Sequence, residues 1–413
     1  MKKTLTQAIM ILALFTAISL QAQVTIGSGE KPNAGTLLDL KEHAPDANNA
    51  TAKHGLGLPK VELSDLSKLK IGTAPEITGA DALNHTGLIV YNTKESLCLS
   101  KGVYLWDGAA WVQLSGSQIT KKGSYAEDVQ ALKDLYTANP GNTLGWNLSG
   151  DPANFSGVFW TTICGEKRVT QLNIVFKNLT SSTGIDKLDA LTLLWCSLNQ
   201  LTSLDVSANT ALTWLDCHSN QLTSLDVSGA TALTYLDCEN NQLTSLDVSG
   251  ATALTQLYCN SNQLTSLDVS TNTALTSLGC QNNQLTSLDV STNTALTYLN
   301  CYQNQLTSLD VSTNTALTDL YCAYNQLTSL NLSGATALTL LECSSNQLTS
   351  LDVSANTALT QLYCTYNQLT QTEVNKFKLH PNYCPNISTW YVTPQYFPGT
   401  TTIDHSVTKP TCP

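Results

Sequence analysis

The sequence predicts a mainly β (or α/β-type) solenoid preceded by a small β-rich domain. Nine cysteines, Cys196, Cys217, Cys238, Cys259, Cys280, Cys301, Cys322, Cys343 and Cys364, stand 21 residues apart. Around each, the chain repeats LTxLxCxxNQLTSLDVSxxTA almost word for word. A fixed period of this length means a stack of turns, each burying its apolar side against its neighbours. Within a repeat, Leu, Leu and Cys alternate as on a strand with one buried face, and too few residues remain for a long helical return. The expected form is a curved right-handed solenoid. Its parallel β-sheet lines the concave face, and extended chain or short turns make the other side.

The chain opens with Lys2 and Lys3, then an apolar run from Ile9 to Leu20 that is too short to span a bilayer. Residues 1–22 therefore read as a signal peptide, and the mature protein is expected to be secreted or at the cell surface. No second apolar stretch reaches membrane-spanning length, so no transmembrane segment is expected. The 413 residues carry a formal charge of −11. Between Lys187 and Lys376 there is no Lys or Arg, while twelve Asp and Glu fall between Leu191 and Thr370. Such a surface repels phosphate backbones and anionic headgroups, which excludes nucleic acid and leaves protein, glycan or cationic partners.

Residues 24–115 form the first unit. Short β-rich runs, Gly87–Asn92 and Gly102–Leu114 among them, are broken by Gly, Asn and Asp. The phrases GLGLPKV, TGLIVYNT and GVYLWDGAAWV resemble an N-terminal module of exported proteins from Bacteroidetes-type bacteria. That resemblance speaks to origin more than to activity; separately, the unit is a candidate means of surface attachment. Trp106 and Trp111 have two readings, a sugar-facing pair or the core of a small sheet.

Ser115-Gly116-Ser117 is a linker, and residues 123–168 read as an N-terminal cap. Val129, Leu132 and Leu135 have helical spacing within Tyr125–Thr137. Trp146, then Trp160 with Cys164, then Arg168 to Leu172 resemble the cap that precedes many leucine-rich repeat arrays. The array runs over residues 169–369, one degenerate repeat and nine regular ones. Residues 370–413 read as a C-terminal cap whose aromatics Tyr383, Trp390, Tyr391, Tyr396 and Phe397 cover the open end.

Cysteines of an exported protein usually form disulfides. The ladder cysteines are nine, an odd number, and side chains on parallel strands point alongside one another without converging. They read as buried free thiols filling an apolar slot; a metal-thiolate stack is the alternative. Cys384 and Cys412 lie together in the tail and can pair, whereas Cys98 and Cys164 sit in separate segments. The phrase LxxLxCxxNxL is the leucine-rich repeat signature with Cys in the third apolar slot. The 21-residue length and the cysteine column resemble the internalin group of bacterial surface proteins. That resemblance implies a parallel sheet on the concave face and a role in adhesion or host contact. The flanking segments differ from the group's, so invasion does not carry over.

The nine copies compare themselves. Positions three, five, seven and eight vary freely while the rest barely change. By strand alternation, the third and fifth face outward on the sheet, and the others extend that face at the strand exit. They collect Trp195, Trp214, Tyr235, Tyr258, Tyr298, Tyr302, Tyr321, Tyr324, Tyr363 and Tyr366, beside Asp216, Asp237, Asn300, Asp319 and Glu342. No other Trp or Tyr occurs between Leu191 and Leu369. Aromatics beside polar side chains are what binding surfaces use, so this face is the candidate site for a protein or glycan partner. The alternative is a solvated sheet held by aromatic ladders. An Asn column from Asn199 to Asn367 can satisfy backbone groups at the turn out of each strand.

Asp205, Asp226, Asp247, Asp268, Asp289, Asp310 and Asp352 share another slot. Hydrogen bonds from neighbouring Ser and Thr account for them better than calcium, whose solenoids carry Gly-rich ligand loops. The same charges spoil the flat Thr lattice that ice binding would need. His218 beside Asp216 has no nucleophile placed by spacing and reads as surface decoration. No catalytic constellation, cofactor or metal site is expected, so the chain does not read as an enzyme. The leading expectation is adhesion or surface interaction through the concave face. The alternative is a structural envelope or appendage component, with the array as a rigid spacer.

Overall fold

A computed structural model describes residues 24–26, 38–40, 60–61, 88–92, 102–106, 111–115, 123–163 and 165–412. The expected signal peptide, Cys98 and Cys164 lie outside the described residues. The chain divides into two units, residues 1–118 and 119–413.

In the first unit, Val24–Ile26 pairs in parallel with Leu38–Leu40. Lys60–Val61, Ile89–Asn92, Gly102–Trp106 and Trp111–Ser115 form a four-stranded sheet. Val90, Tyr104, Trp106 and Trp111 are buried, and the two tryptophan rings meet edge to face at 5.5 Å. These tryptophans build a core, so the sugar-facing reading does not hold for them.

The second unit is a solenoid around one twelve-stranded sheet. Its strands are Val158–Ile163, Glu166–Asn173, Leu193–Trp195, Trp214–Asp216, Tyr235–Asp237, Gln256–Tyr258, Ser277–Gly279, Tyr298–Asn300, Asp319–Tyr321, Leu340–Glu342, Gln361–Tyr363 and Trp390–Tyr391. The first pair is antiparallel. From Glu166–Asn173 onward the pairing is parallel, and within the repeats each residue faces the one 21 positions later, as Trp214 faces Tyr235. The repeat length thus fixes the register, and identical inward residues stack on one another. The Leu, Leu and Cys columns are wholly buried, with Leu201, Val206 and their equivalents opposite them. The nine ladder cysteines are free thiols, as the side-chain directions predict. Burial raises their pKa values above the ordinary 9.0, to about 12 for Cys259 and Cys301.

After each cysteine the chain turns sharply. The residue two places on has φ between +51° and +58°, from Leu198 to Tyr366, and in no copy is it glycine. Left-handed backbone is unfavourable for side chains other than Gly and Asn. The Asn that follows compensates. Asn241 donates from Nδ2 to the carbonyls of Cys217 and Cys238 at 3.1 and 3.0 Å. Its Oδ1 accepts the N–H of Leu222 at 3.0 Å. The same bonds recur up the array and tie each turn to the one before.

The return side is extended, with short ladders only at Ser203–Asp205 with Ser224–Asp226 and Ser308–Asp310 with Ser329–Asn331. Each Asp of the outward column caps its own turn, as Asp247 Oδ1 accepts the Ser249 N–H at 2.9 Å. Two local solutions alternate just beyond. Copies with Asn, such as Asn272, send Nδ2 to the carbonyls of Val248 and Ala251 at 3.0 and 2.9 Å. Copies with Gly-Ala bring the backbone closer: a Cβ on Gly250 would lie 2.0 Å from the Ser228 carbonyl oxygen. Gly is required there by approach, not by dihedral angle.

The N-terminal cap begins with helix α1, Tyr125–Thr137, whose N-cap Ser124 accepts the Glu127 N–H at 3.2 Å. Its buried face is Asp128, Ala131, Leu132 and Leu135, so a charged residue replaces Val129 in the apolar spacing. Asp128 is buried because Arg168 grips it with two bonds of 2.9 Å and the Val169 N–H adds a third at 2.7 Å. Asp189 also bonds Arg168.

The C-terminal cap contains helix α2, Gln371–Lys376, and a Cys384–Cys412 disulfide, the pairing open to them by sequence. Trp390, Tyr383 and Phe377 are fully buried over the last turn. Gln395 takes the place of a tenth ladder Asn. Its Nε2 bonds the Cys364 carbonyl at 3.0 Å and its Oε1 accepts the Leu369 N–H at 3.3 Å.

Candidate binding face

Strand pleating sends Leu194, Leu215, Leu236 and their equivalents inward and turns their strand neighbours out, giving the half-buried, buried, half-buried pattern of nearly every repeat strand. All the candidate residues therefore share the outer face of the main sheet or its exit edge. Trp214 and Tyr235 stack in parallel at 3.6 Å, and Tyr258 follows at 5.8 Å. Tyr298 and Tyr321 meet at 5.7 Å. Tyr302 and Tyr324 pack at 5.1 Å along the exit edge. Between the first two groups lie Ser277 and Gly279, and Gly279 is buried beneath the Tyr258, Asn260 and Gln281 side chains.

The C-terminal cap contributes two aromatics that the sequence reading placed over the open end. Tyr391 is in register with Tyr363 and stacks on it at 5.0 Å, half exposed. Tyr396 packs on Tyr366 at 5.6 Å. Both extend the outer face instead of covering the open end, which Trp390 and Tyr383 do. Phe397 is likewise exposed. No repeat signal marks these positions, since the cap follows no 21-residue frame.

Polar candidates interleave with the rings. Asn300 Nδ2 donates to the Tyr298 hydroxyl at 3.3 Å, and Thr318 Oγ1 to Asp319 at 2.7 Å. Tyr258 and Ser277 hydroxyls bond at 3.1 Å. Burial raises the Glu342 carboxyl above its ordinary range and pushes the Tyr321 hydroxyl up as well. Burial is also the main cause at Asp237 and Tyr235, with repulsion from Asp216 adding to each. Trp195 ends the strand Leu193–Trp195, directly beside Asp216. His218 sits against two carboxylates, not one: its Nδ1 is 2.6 Å from Asp216 and 3.9 Å from Asp237. Among the described residues no helix is long and apolar enough to cross a membrane.

Comparisons place these features among known proteins. Residues 25–125 match the family described as "Phage tail like trimerisation region", and residues 210–250 match "Leucine Rich repeats (2 copies)". No curated protein matches the chain. Among solved structures, the chain is similar to the functional domain of InlJ from Listeria monocytogenes, which includes a cysteine ladder. The two share 45% identity over 55% of this chain and 48% of that one, with a TM-score of 0.49. An internalin, inlF, from Listeria monocytogenes is 21% identical over 58% of this chain and 85% of that one, TM-score 0.38. A plant ice-binding protein is 22% identical over 60% and 88%, TM-score 0.49. The chain spans about half the length of the InlJ domain it matches.

Proposed function

We propose that this leucine-rich repeat solenoid with its cysteine ladder is an exported, non-enzymatic binding protein that holds a protein or glycan partner on the outer face of its main sheet. The observation that carries this is where the repeats vary. Every Trp and Tyr between Leu191 and Leu369 falls on that face or its exit edge, while the Ser and Asp columns on the return side stay nearly fixed. Relaxed drift acts on both exposed sides alike and does not sort aromatics onto one. The rings are packed against one another, so holding them for a partner costs little entropy. The cap residues Tyr391 and Tyr396 lengthen the surface.

The test is a triple substitution, Tyr298→Ser, Tyr321→Ser and Tyr363→Ser, in the full chain. Glycan and protein arrays probed with the parent chain should give at least one specific partner that the folded variant loses. Equal binding by parent and variant rejects the proposal. Secretion is checked by fractionating cells that express the full chain.

The match of residues 25–125 to a trimerisation region favours a second reading, in which the first unit assembles the chain and the array serves as a rigid spacer. Assembly and binding are compatible, since three copies would raise avidity. Light scattering on the full chain and on a chain lacking residues 24–115 separates them. A shortened chain that keeps both its oligomeric mass and its surface retention removes the assembly role.

A further inference from the structure

We propose that Asp216, His218 and Asp237 form a divalent metal site on the outer face of the main sheet, with the donor set of a borderline cation such as Zn²⁺. Asp216 and Asp237 are register partners on neighbouring strands, and His218 follows Asp216 by two residues, back on the same face. One donor atom from each lies within 4.8 Å of the other two. Bonds of about 2.0–2.2 Å in tetrahedral geometry set ligand atoms roughly 3.3–3.5 Å apart, so the His218–Asp216 hydrogen bond of 2.6 Å must open to admit the cation while Asp237, 3.9 Å from His218, closes in, both within reach of side-chain rotation. Imidazole nitrogen with two carboxylates is a set that first-row dications accept.

Four features set this cluster apart from surface decoration. Carboxylates directly opposite each other on adjacent strands repel. Along the fifth repeat position, which reads Trp195, Asp216, Asp237, Tyr258, Gly279, Asn300, Tyr321, Glu342 and Tyr363, acids adjoin at this one place. The one histidine between Leu191 and Leu369 stands there. Among the described residues no Lys or Arg forms an ion pair with either acid, and the sequence carries none between Lys187 and Lys376. The two acids are also partly desolvated, 18% and 17% exposed, beside the stacked Trp214 and Tyr235 rings, which strengthens their pull on a cation.

The surrounding bonds orient the ligands, as outer-shell groups do at metal sites. The Glu239 N–H holds Asp237 Oδ1 at 3.0 Å, and the Tyr235 hydroxyl reaches Asp237 Oδ2 at 3.5 Å. The His218 N–H bonds Asp216 Oδ1 at 3.3 Å. Three protein donors leave the remaining coordination positions toward solvent, since His218 is 32% exposed. Water or a donor from a bound partner completes the shell. The site does not depend on the binding proposal: it holds a cation with or without a macromolecular partner.

The experiment uses untagged full chain, stripped with chelator under reducing conditions. It is titrated with Zn²⁺ by calorimetry and with Co²⁺ by visible absorption. One equivalent should bind, and His218→Gln and Asp237→Asn should each weaken it at least about tenfold. Asp289→Asn, in the return-side acidic column, should leave it unchanged. Melting of each variant in chelator verifies that the fold persists. Absence of saturable binding overturns the proposal. So does affinity unchanged in His218→Gln and Asp237→Asn, or a thiolate-to-cobalt charge-transfer band, which would put the metal at cysteines.

Discussion

Asn283 provides the sharpest test of how the turns are joined. It is buried in the exit turn of its repeat. Its Oδ1 accepts the Leu264 N–H at 3.0 Å, and its Nδ2 donates to the carbonyls of Cys259 and Cys280 at 3.0 and 3.1 Å. Asn283→Ala leaves the Leu264 N–H buried without an acceptor, which costs about 1–3 kcal/mol. The carbonyls suffer less. Cys259 keeps a bond from Asn262, and Cys280 keeps one from Asn304. Each weakened carbonyl adds about 0.5–1 kcal/mol, so the whole loss is about 2–5 kcal/mol. The redundancy has a consequence. Asn283→Ala with Asn304→Ala strips the Cys280 carbonyl of both side-chain donors, so the double change should exceed the sum of the singles by about 1 kcal/mol. Urea denaturation followed by circular dichroism measures these losses, and hydrogen exchange reads the Leu264 amide directly. A single-variant loss below about 0.5 kcal/mol, or an unchanged Leu264 amide, refutes the ladder as the joint between turns.

Two further outcomes follow from buried charge. The ladder thiols are held protonated by burial, with Cys259 and Cys301 raised to about 12 and Cys238, Cys280, Cys322 and Cys343 well above the ordinary 9.0. Above the unfolded value the folded chain keeps protons that the unfolded chain loses. Stability is therefore whole below about pH 9 and falls as pH rises, by about 1.4 kcal/mol per pH unit for each such thiol. Circular dichroism in reducing buffer should show alkaline unfolding that Cys238→Ala with Cys280→Ala makes shallower; an equally steep loss in that variant contradicts the account. In the N-terminal cap, Asp128→Ala takes from the buried Arg168 the acid that holds it with two bonds, at a cost of about 3–5 kcal/mol. A urea-midpoint change equivalent to less than about 1 kcal/mol shows that the pair does not hold the cap.

The repeat made most of the array legible before any coordinates. A 21-residue period defines lateral neighbours, so the inward Leu and Cys columns, the buried thiols and the outward aromatics follow from alternation alone. The Asn column was visible for the same reason: a polar residue that never varies at a turn must serve backbone groups. The caps were legible only in outline, because they occur once and nothing in the chain aligns them. Asp128 broke the apolar spacing of its helix, and only the fold brings Arg168 to it from forty residues away.

By itself, the sequence determined the solenoid, its register and which residues share a face, because a repeat is its own alignment. The 21-residue step even sets Asp216 beside Asp237. Tertiary structure decided what the step cannot: that the His218 ring leans toward both acids, that Gln395 stands in for an absent tenth asparagine, and that Tyr391 continues the aromatic face. Each depends on a rotamer or on a chain reversal outside the repeat, where contact is set by packing in space and leaves no period in the sequence.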